Sequence, residues 1–392
     1  MVVDSTALPE QAVGDIVASA FQSAGQRCSA LRILYVQADI ADSIIEMLMG
    51  AMDTLQLGDP WALATDIGPV ISQDARRGID QHIEAARREG RVLKELPRPR
   101  DGFFVGPTLI RVGGIADLDR EVFGPVLHVA TFGANALGAV ADAINASGYG
   151  LTFGLHTRID DRVESFTRRI RAGNIYVNRN QIGAVVGSQP FGGEGLSGTG
   201  PKAGGPNYLR RFVVSSTAES ALEDEETPLP LADVQAAVLA VAGKSQQQAG
   251  VALQTIDLPG PTGESNRLSL FPRGTVLCLG PTLQQAREQA DIARGQGCPA
   301  LVIAPGASGE DCLAGCVAPS LLTELSGFAL VVFWGPADRK MAMRRALAAR
   351  EGPLVPLVTG RALADYCLLE RHVCIDTTAA GGNASLLAGE RD

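Results

Sequence analysis

The sequence predicts an α/β protein with a mostly parallel sheet, followed by a smaller α/β layer. Three observations lead there. Between Ile40 and Asn178, stretches with helical apolar spacing alternate with short apolar runs of strand length. Thr275–Gly280, Leu283–Gly297 and Ala300–Ala304 read as strand, helix and strand, one complete βαβ unit. With 392 residues, 46% hydrophobic and 20% charged, the chain can bury a large core and is long enough for two or three domains.

Taken in order, Val13, Ile16, Val17, Ala20 and Phe21 form one helix face that stops at Gly25, and a strand-like run, Leu31–Val36, begins just after Cys28. A helix over Ile40–Leu57 buries Ile44, Ile45, Leu48, Met52 and Leu55, and Gly58-Asp59-Pro60 ends it. A second helix runs Ser72–Gly90, with Ser72 as N-cap and Gly90 closing the C-terminus; its arginines and His82 read as a solvated face. Gly102–Leu109 reads as a strand, Glu121–Leu127 as a loop running into one, Ala136–Ser147 as a helix and Leu151–Thr157 as a buried strand. The helix Arg162–Ala172, capped by Gly173, and the strand Asn174–Asn178 complete the series. Gly183–Gly205 holds nine glycines in 23 residues yet carries Val185, Val186, Phe191 and Leu196, so it reads as a binding loop rather than a linker. An acidic, proline-containing lead into an Ala-rich helix places a boundary near Glu219. In the second half Phe328–Trp334, Ala337–Arg350 and Leu354–Thr359 extend the βαβ unit, while Gly280-Pro281-Thr282 departs from the glycine pattern of a dinucleotide turn. Val373–Leu387 reads as an extended tail that packs on another domain.

Bulk properties narrow the function classes. A net charge of −9 argues against nucleic acid as the main partner. No run approaches the roughly 18 apolar residues of a membrane helix, and the default location is the cytoplasm. Seven scattered cysteines fit reduced thiols, and Cys312 and Cys316, four apart with no second ligand pair nearby, are a poor zinc site, so no metal is expected.

Chemistry concentrates at Cys28. It sits on a bend between two packed elements, where a thiol can meet a substrate while its own backbone N–H faces the oxyanion formed by attack on a carbonyl. Arg27 beside it would favour the thiolate. A buried core cysteine is the structural alternative.

Three separated segments share one explanation: Gly25-Gln26-Arg27-Cys28, Glu121-Val122-Phe123-Gly124-Pro125 and Pro190-Phe191-Gly192-Gly193. Their order and spacing resemble the aldehyde dehydrogenase superfamily. The longer text from Ser188 to Pro206 resembles the glutamate-semialdehyde dehydrogenase half of the bifunctional proline utilisation A enzymes, with the match running from Met1 to about Glu219. Gly263-Glu264-Ser265-Asn266 and Asn383-Ala384-Ser385-Leu386 resemble the extra C-terminal domain and closing motif of the longer members.

The resemblance implies an N-terminally truncated aldehyde dehydrogenase catalytic domain over 1–219, a Rossmann-like C-terminal domain over 220–362 and an extended tail or flap over 363–392. It implies NAD-dependent oxidation of L-glutamate γ-semialdehyde to glutamate, the second step of proline catabolism. Cys28 would be the nucleophile, forming a thiohemiacetal and then a thioester, and Ser29 would touch the substrate. Glu121 would bind the nicotinamide ribose and Phe123 would pack beside the nicotinamide ring. Gly183 and Ala184 would hold the α-carboxylate through their backbone N–H groups, and Phe191 would wall the aliphatic stem. A homo-oligomer is implied. Only 27 residues precede Cys28, so the family's nucleotide-binding domain, general base and oxyanion asparagine have no counterpart here, nor has the FAD-dependent proline dehydrogenase domain. The expectation is a fragment inactive alone. The alternative is a non-catalytic oligomerisation and lid module of a larger assembly.

Overall fold

The computed structural model describes residues 1–212, 228–245 and 250–378. The boundary expected near Glu219 and the tail motif at Asn383 lie outside the described residues. Within the first 189 residues come strands β1 (Val2–Val3), β2 (Ile33–Gln37), β3 (Val92–Glu95), β4 (Thr108–Arg111), β5 (Val126–Phe132), β6 (Tyr149–Gly150), β7 (Thr152–His156) and β8 (Asn174–Val177). They alternate with helices α1 (Pro9–Phe21), α2 (Ala38–Asp53), α3 (Gln73–Arg88), α4 (Leu137–Ala146) and α5 (Asp160–Arg169). Later come β9 (Glu194–Gly195), β10 (Gln254–Leu258), β11 (Glu264–Pro272), β12 (Val276–Cys278), β13 (Ala300–Ala304), β14 (Cys312–Ala314), β15 (Leu330–Val332), β16 (Leu357–Val358) and β17 (Leu368–Asp376). Their helices are α6 (Leu231–Ser245), α7 (Leu283–Gly295), α8 (Leu321–Glu324), α9 (Ala337–Ala348) and α10 (Leu363–Tyr366).

Two compact units result: Met1–Gln189 with Leu258–Arg267 and residues from His372 onward, and Pro190–Asp257 with Leu268–Arg371. The units interleave along the chain, because β11 and β17 each begin in one and end in the other.

In the first unit the strand order is β17-β8-β7-β1-β2-β5-β4-β3. Every pairing is parallel except the edge pair β4–β3. The expected tail therefore supplies a strand: His372–Ile375 pair with Asn174–Val177. Helices over the sheet keep the strands nearly continuously apolar, with Leu34, Val36, Leu109, Leu127, Leu155 and Ile175 buried in one cluster. The helix α3 starts where the sequence predicts, the Ser72 side chain accepting from the Ala75 N–H at 3.2 Å. Two expectations are corrected. The strand expected over Gly102–Leu109 begins only at Thr108, since Gly102 at φ +95° and Pro107 interrupt an extended run. His82 is not on a solvated face: it is half-buried and its Nε2 lies 2.8 Å from His128 Nε2.

The second unit is a five-stranded parallel sheet ordered β14-β13-β12-β15-β16. That is the 3-2-1-4-5 order of a doubly wound half-domain, in agreement with the Rossmann-like expectation. Alternate residues face opposite layers. Val276, Cys278, Val302, Leu330 and Val332 pack with Ala286, Ala290 and Ala293 of α7, whereas Leu277, Leu301, Ile303 and Val331 pack with Val234 and Val238 of α6 and Met343 of α9. The turn after β12 uses its own donors: Gly280 N–H goes to Gln289 Oε1, and Thr282 Oγ1 caps α7 through the Gln285 N–H.

Candidate active site

The bend holding Cys28 is built by the end of α1. After Phe21 the chain tightens into a 3₁₀ turn over Gln22–Gly25, in which Ser23 and Ala24 take positive φ and Gly25 follows at +64°. Only glycine fits the last position. A Cβ on Gly25 would stand 2.2 Å from the Gly124 carbonyl oxygen, so this bend and the loop carrying Glu121 and Phe123 meet backbone to backbone. The Leu31 N–H donates to Ser19 O and the Ala30 N–H to Arg27 O, closing a turn that projects residue 28 outward. Cys28 is the one exposed cysteine of the seven. Its backbone N–H has no protein acceptor among the described residues.

Arg32 organises this region. Its Nη1 donates to Gly25 O at 2.6 Å and its Nη2 to Arg27 O at 3.1 Å, both from within the bend. Its Nε donates to Glu121 Oε1 at 3.0 Å, and the guanidinium lies 4.8 Å from the centre of the Phe123 ring. Burial pushes the Arg32 guanidinium below its ordinary range, while the Glu121 carboxylate acts the other way. Arg27 turns away from the loop, its Nε donating to Ser23 Oγ at 3.0 Å.

A second set of bonds ties the bend to the loop that begins at Gly183. Ser29 is buried, and its carbonyl accepts from Gln181 Nε2 at 3.2 Å. The Gln181 N–H in turn donates to Ser19 Oγ at 3.1 Å. Two residues on, Gly183 takes φ +96° with open space where a Cβ would be, and its carbonyl accepts from the Tyr176 hydroxyl at 3.0 Å. Tyr176 is fully buried, and burial raises its phenol. Gly183 and Ala184 are both exposed. Phe191 belongs to the second unit, where its N–H and carbonyl pair with Ala203.

Glu121 and Phe123, 52% and 44% exposed, border a cavity of about 640 Å³ with Gln26, Ile71, Ile79 and Arg120. Among the described residues no cluster of three or more metal-ligating side chains occurs.

The aldehyde dehydrogenase family profile matches residues 1–218. The chain belongs to the aldehyde dehydrogenase family. Bifunctional protein PutA of Salmonella typhimurium is 42% identical over 435 aligned residues, covering 99% of this chain and 32% of that protein. A 1-pyrroline-5-carboxylate dehydrogenase of Halalkalibacterium halodurans is 38% identical over 225 residues, covering 55% of this chain and 42% of the relative. A crystal structure of bifunctional proline utilization A superposes with a TM-score of 0.53 at 54% identity, over 54% of this chain and 22% of that one. The Thermus 1-pyrroline-5-carboxylate dehydrogenase with bound NAD superposes at 0.51 with 34% identity, over 54% and 41%. The chain spans about a third of the length of the PutA proteins it matches.

For this aldehyde dehydrogenase chain, sequence reasoning located Cys28, Ser29, Glu121 and Phe123, which the structure brings together. It missed Arg32 and Gln181, the two side chains that do the joining. The one signal for Arg32 was a charged residue interrupting the apolar run that follows Cys28. Gln181 had none, because its role depends on β8 returning beside β7 and α1.

Proposed function

We propose that this chain carries the nucleophile half of an NAD-dependent L-glutamate γ-semialdehyde dehydrogenase. The observation that carries the reading is the exposed Cys28 on a bend that Arg32 fixes to Glu121 and Phe123. The similarity to PutA and to 1-pyrroline-5-carboxylate dehydrogenases supplies the substrate class. Cys28 Sγ attacks the aldehyde carbon, and the carbonyl oxygen takes up the electron pair facing the unpartnered Cys28 N–H. Arg32 holds the bend through Gly25 O and Arg27 O. Glu121 and Phe123 would hold the nicotinamide end of NAD, which would supply the hydride acceptor when bound. Loss of hydride leaves a thioester on Cys28, and water then releases glutamate and returns the thiol. The backbone N–H groups of Gly183 and Ala184 receive the α-carboxylate, for which an exposed, side-chain-free approach at Gly183 is suited.

The test is protection of Cys28 from alkylation. Iodoacetamide labelling, resolved by peptide, should slow saturably as L-glutamate γ-semialdehyde is added, and propanal, which lacks the α-carboxylate, should protect far less. Gly183→Val should label at the unprotected rate while losing the advantage of the semialdehyde. Labelling indifferent to semialdehyde, or protected equally by both aldehydes, would overturn the reading.

A further inference from the structure

The loop that begins at Gly183 presents two adjacent backbone donors to solvent. Gly183 and Ala184 are exposed, and neither N–H has an acceptor among the described residues. Gly183 takes φ +96° with nothing within 4 Å of where a Cβ would stand, so no side-chain contact fixes the plane of the peptide joining it to Ala184. A bond from outside the loop does so: the Tyr176 hydroxyl donates to the Gly183 carbonyl at 3.0 Å. We propose that Tyr176 is a specificity-determining positioning residue, which aims the Ala184 N–H at the substrate α-carboxylate by holding the Gly183 carbonyl. This rests on the reading of Gly183 and Ala184 as the carboxylate subsite.

A trans peptide links the directions of its two polar groups. The Gly183–Ala184 bond is trans, so the Gly183 C=O and the Ala184 N–H point opposite ways in one plane. Turning the carbonyl inward to a buried phenol therefore turns the N–H outward, to the exposed side of the loop. The phenol is a fixed reference point. Tyr176 lies on β8, in register with Gly154 of β7 and Cys374 of β17, and its side chain is fully buried. Burial raises the phenol, so the hydroxyl keeps its proton and donates to a carbonyl that can only accept.

The two flanks of this peptide have ties of their own. On the near side the Gln181 N–H donates to Ser19 Oγ at 3.1 Å and Gln181 Nε2 to Ser29 O at 3.2 Å. On the far side the Ser188 and Gln189 N–H groups donate to Val185 O at 3.2 and 2.7 Å, closing a turn. Neither tie sets which way the peptide between Gly183 and Ala184 faces, and a glycine offers little resistance to its turning over. Without the Tyr176 hydroxyl the Ala184 N–H faces outward for only a fraction of the time, and binding of a carboxylate weakens by that fraction. One neutral hydrogen bond biases such a choice by about three- to tenfold.

The experiment uses the full chain and follows iodoacetamide labelling of Cys28. The concentrations of propanal and of L-glutamate γ-semialdehyde that halve the labelling rate are measured, and their ratio, propanal over semialdehyde, reports recognition of the carboxylate. Tyr176→Phe, which removes the hydroxyl and keeps the buried ring, should lower that ratio by about three- to tenfold. In a Gly183→Val background, where the subsite is already blocked, adding Tyr176→Phe should leave the ratio where Gly183→Val alone puts it. A general loosening of the site would weaken both aldehydes in step. A Tyr176→Phe ratio equal to that of the wild type therefore overturns the proposal, as does a further fall in the double variant. A wild-type ratio of one overturns the carboxylate reading itself, and the proposal with it.

Discussion

At Cys28 the decisive feature is exposure combined with a fixed backbone. Four of the other six cysteines are buried, and Cys312 and Cys316 are partly covered. On the native protein, limited iodoacetamide treatment followed by peptide mapping should therefore find label on Cys28 before any other cysteine; earlier label on Cys312 or Cys316 would remove the physical basis of the nucleophile assignment. The residue itself was legible in the sequence, because a bend between a helix face and a strand shows in periodicity and in Gly25. The side chain that anchors its bend was not. Arg27 is adjacent in sequence but faces Ser23, and Arg32 reaches the bend because the strand folds back under it. Adjacency along a chain says little about which way a long side chain turns.

Among the elements, the meeting of the 3₁₀ turn with the Glu121–Phe123 loop sets the site. Gly25→Ala would put a Cβ 2.2 Å from the Gly124 carbonyl oxygen and 2.9 Å from that of Ala20, at a φ that side chains resist. The left-handed conformation alone costs about 1 kcal/mol, and the clash must also displace the loop. The expected outcome is a lower urea midpoint together with a changed environment for Phe123, read by NMR of its ring; a variant with wild-type midpoint and ring shifts would show that the two loops do not abut. Most elements were legible. The α3 cap at Ser72, the short apolar strands and the βαβ unit follow from spacing and from capping residues. The exceptions have physical causes. Gly102–Pro107 has strand-like apolar content but a backbone that glycine and proline keep irregular, and β17 was read as an extended tail because nothing in Val373–Ile375 announces its partner β8. Pairing partners distant in sequence are set by tertiary packing, which periodicity does not encode.

For the whole molecule, buried neutral histidine makes stability depend on pH. His128 is almost fully buried; its Nδ1 lies 2.8 Å from Arg32 O and its Nε2 2.8 Å from His82. Burial lowers it from 6.5 to about 4. The unfolded chain then binds the proton more readily than the folded one, so this contribution is intact above pH 6.5 and is lost as pH falls towards 4. The loss should reach about 3 kcal/mol. Urea unfolding across that window should show stability falling with acid, and His128→Gln, though less stable overall, should show a shallower slope; equal slopes would contradict the assignment. Such a pair was invisible in the sequence, since His82 sits on a charged helix and His128 in an apolar strand, and only the stacking of α3 on β5 brings them together.

The central claim is that Cys28 forms a covalent thiohemiacetal with the semialdehyde. Carbon-13 NMR of L-glutamate γ-semialdehyde labelled at the aldehyde carbon tests it most directly. A protein-bound resonance in the thiohemiacetal region, distinct from the free hydrate, should appear and vanish in Cys28→Ser. No bound resonance, or one that persists in Cys28→Ser, would contradict it.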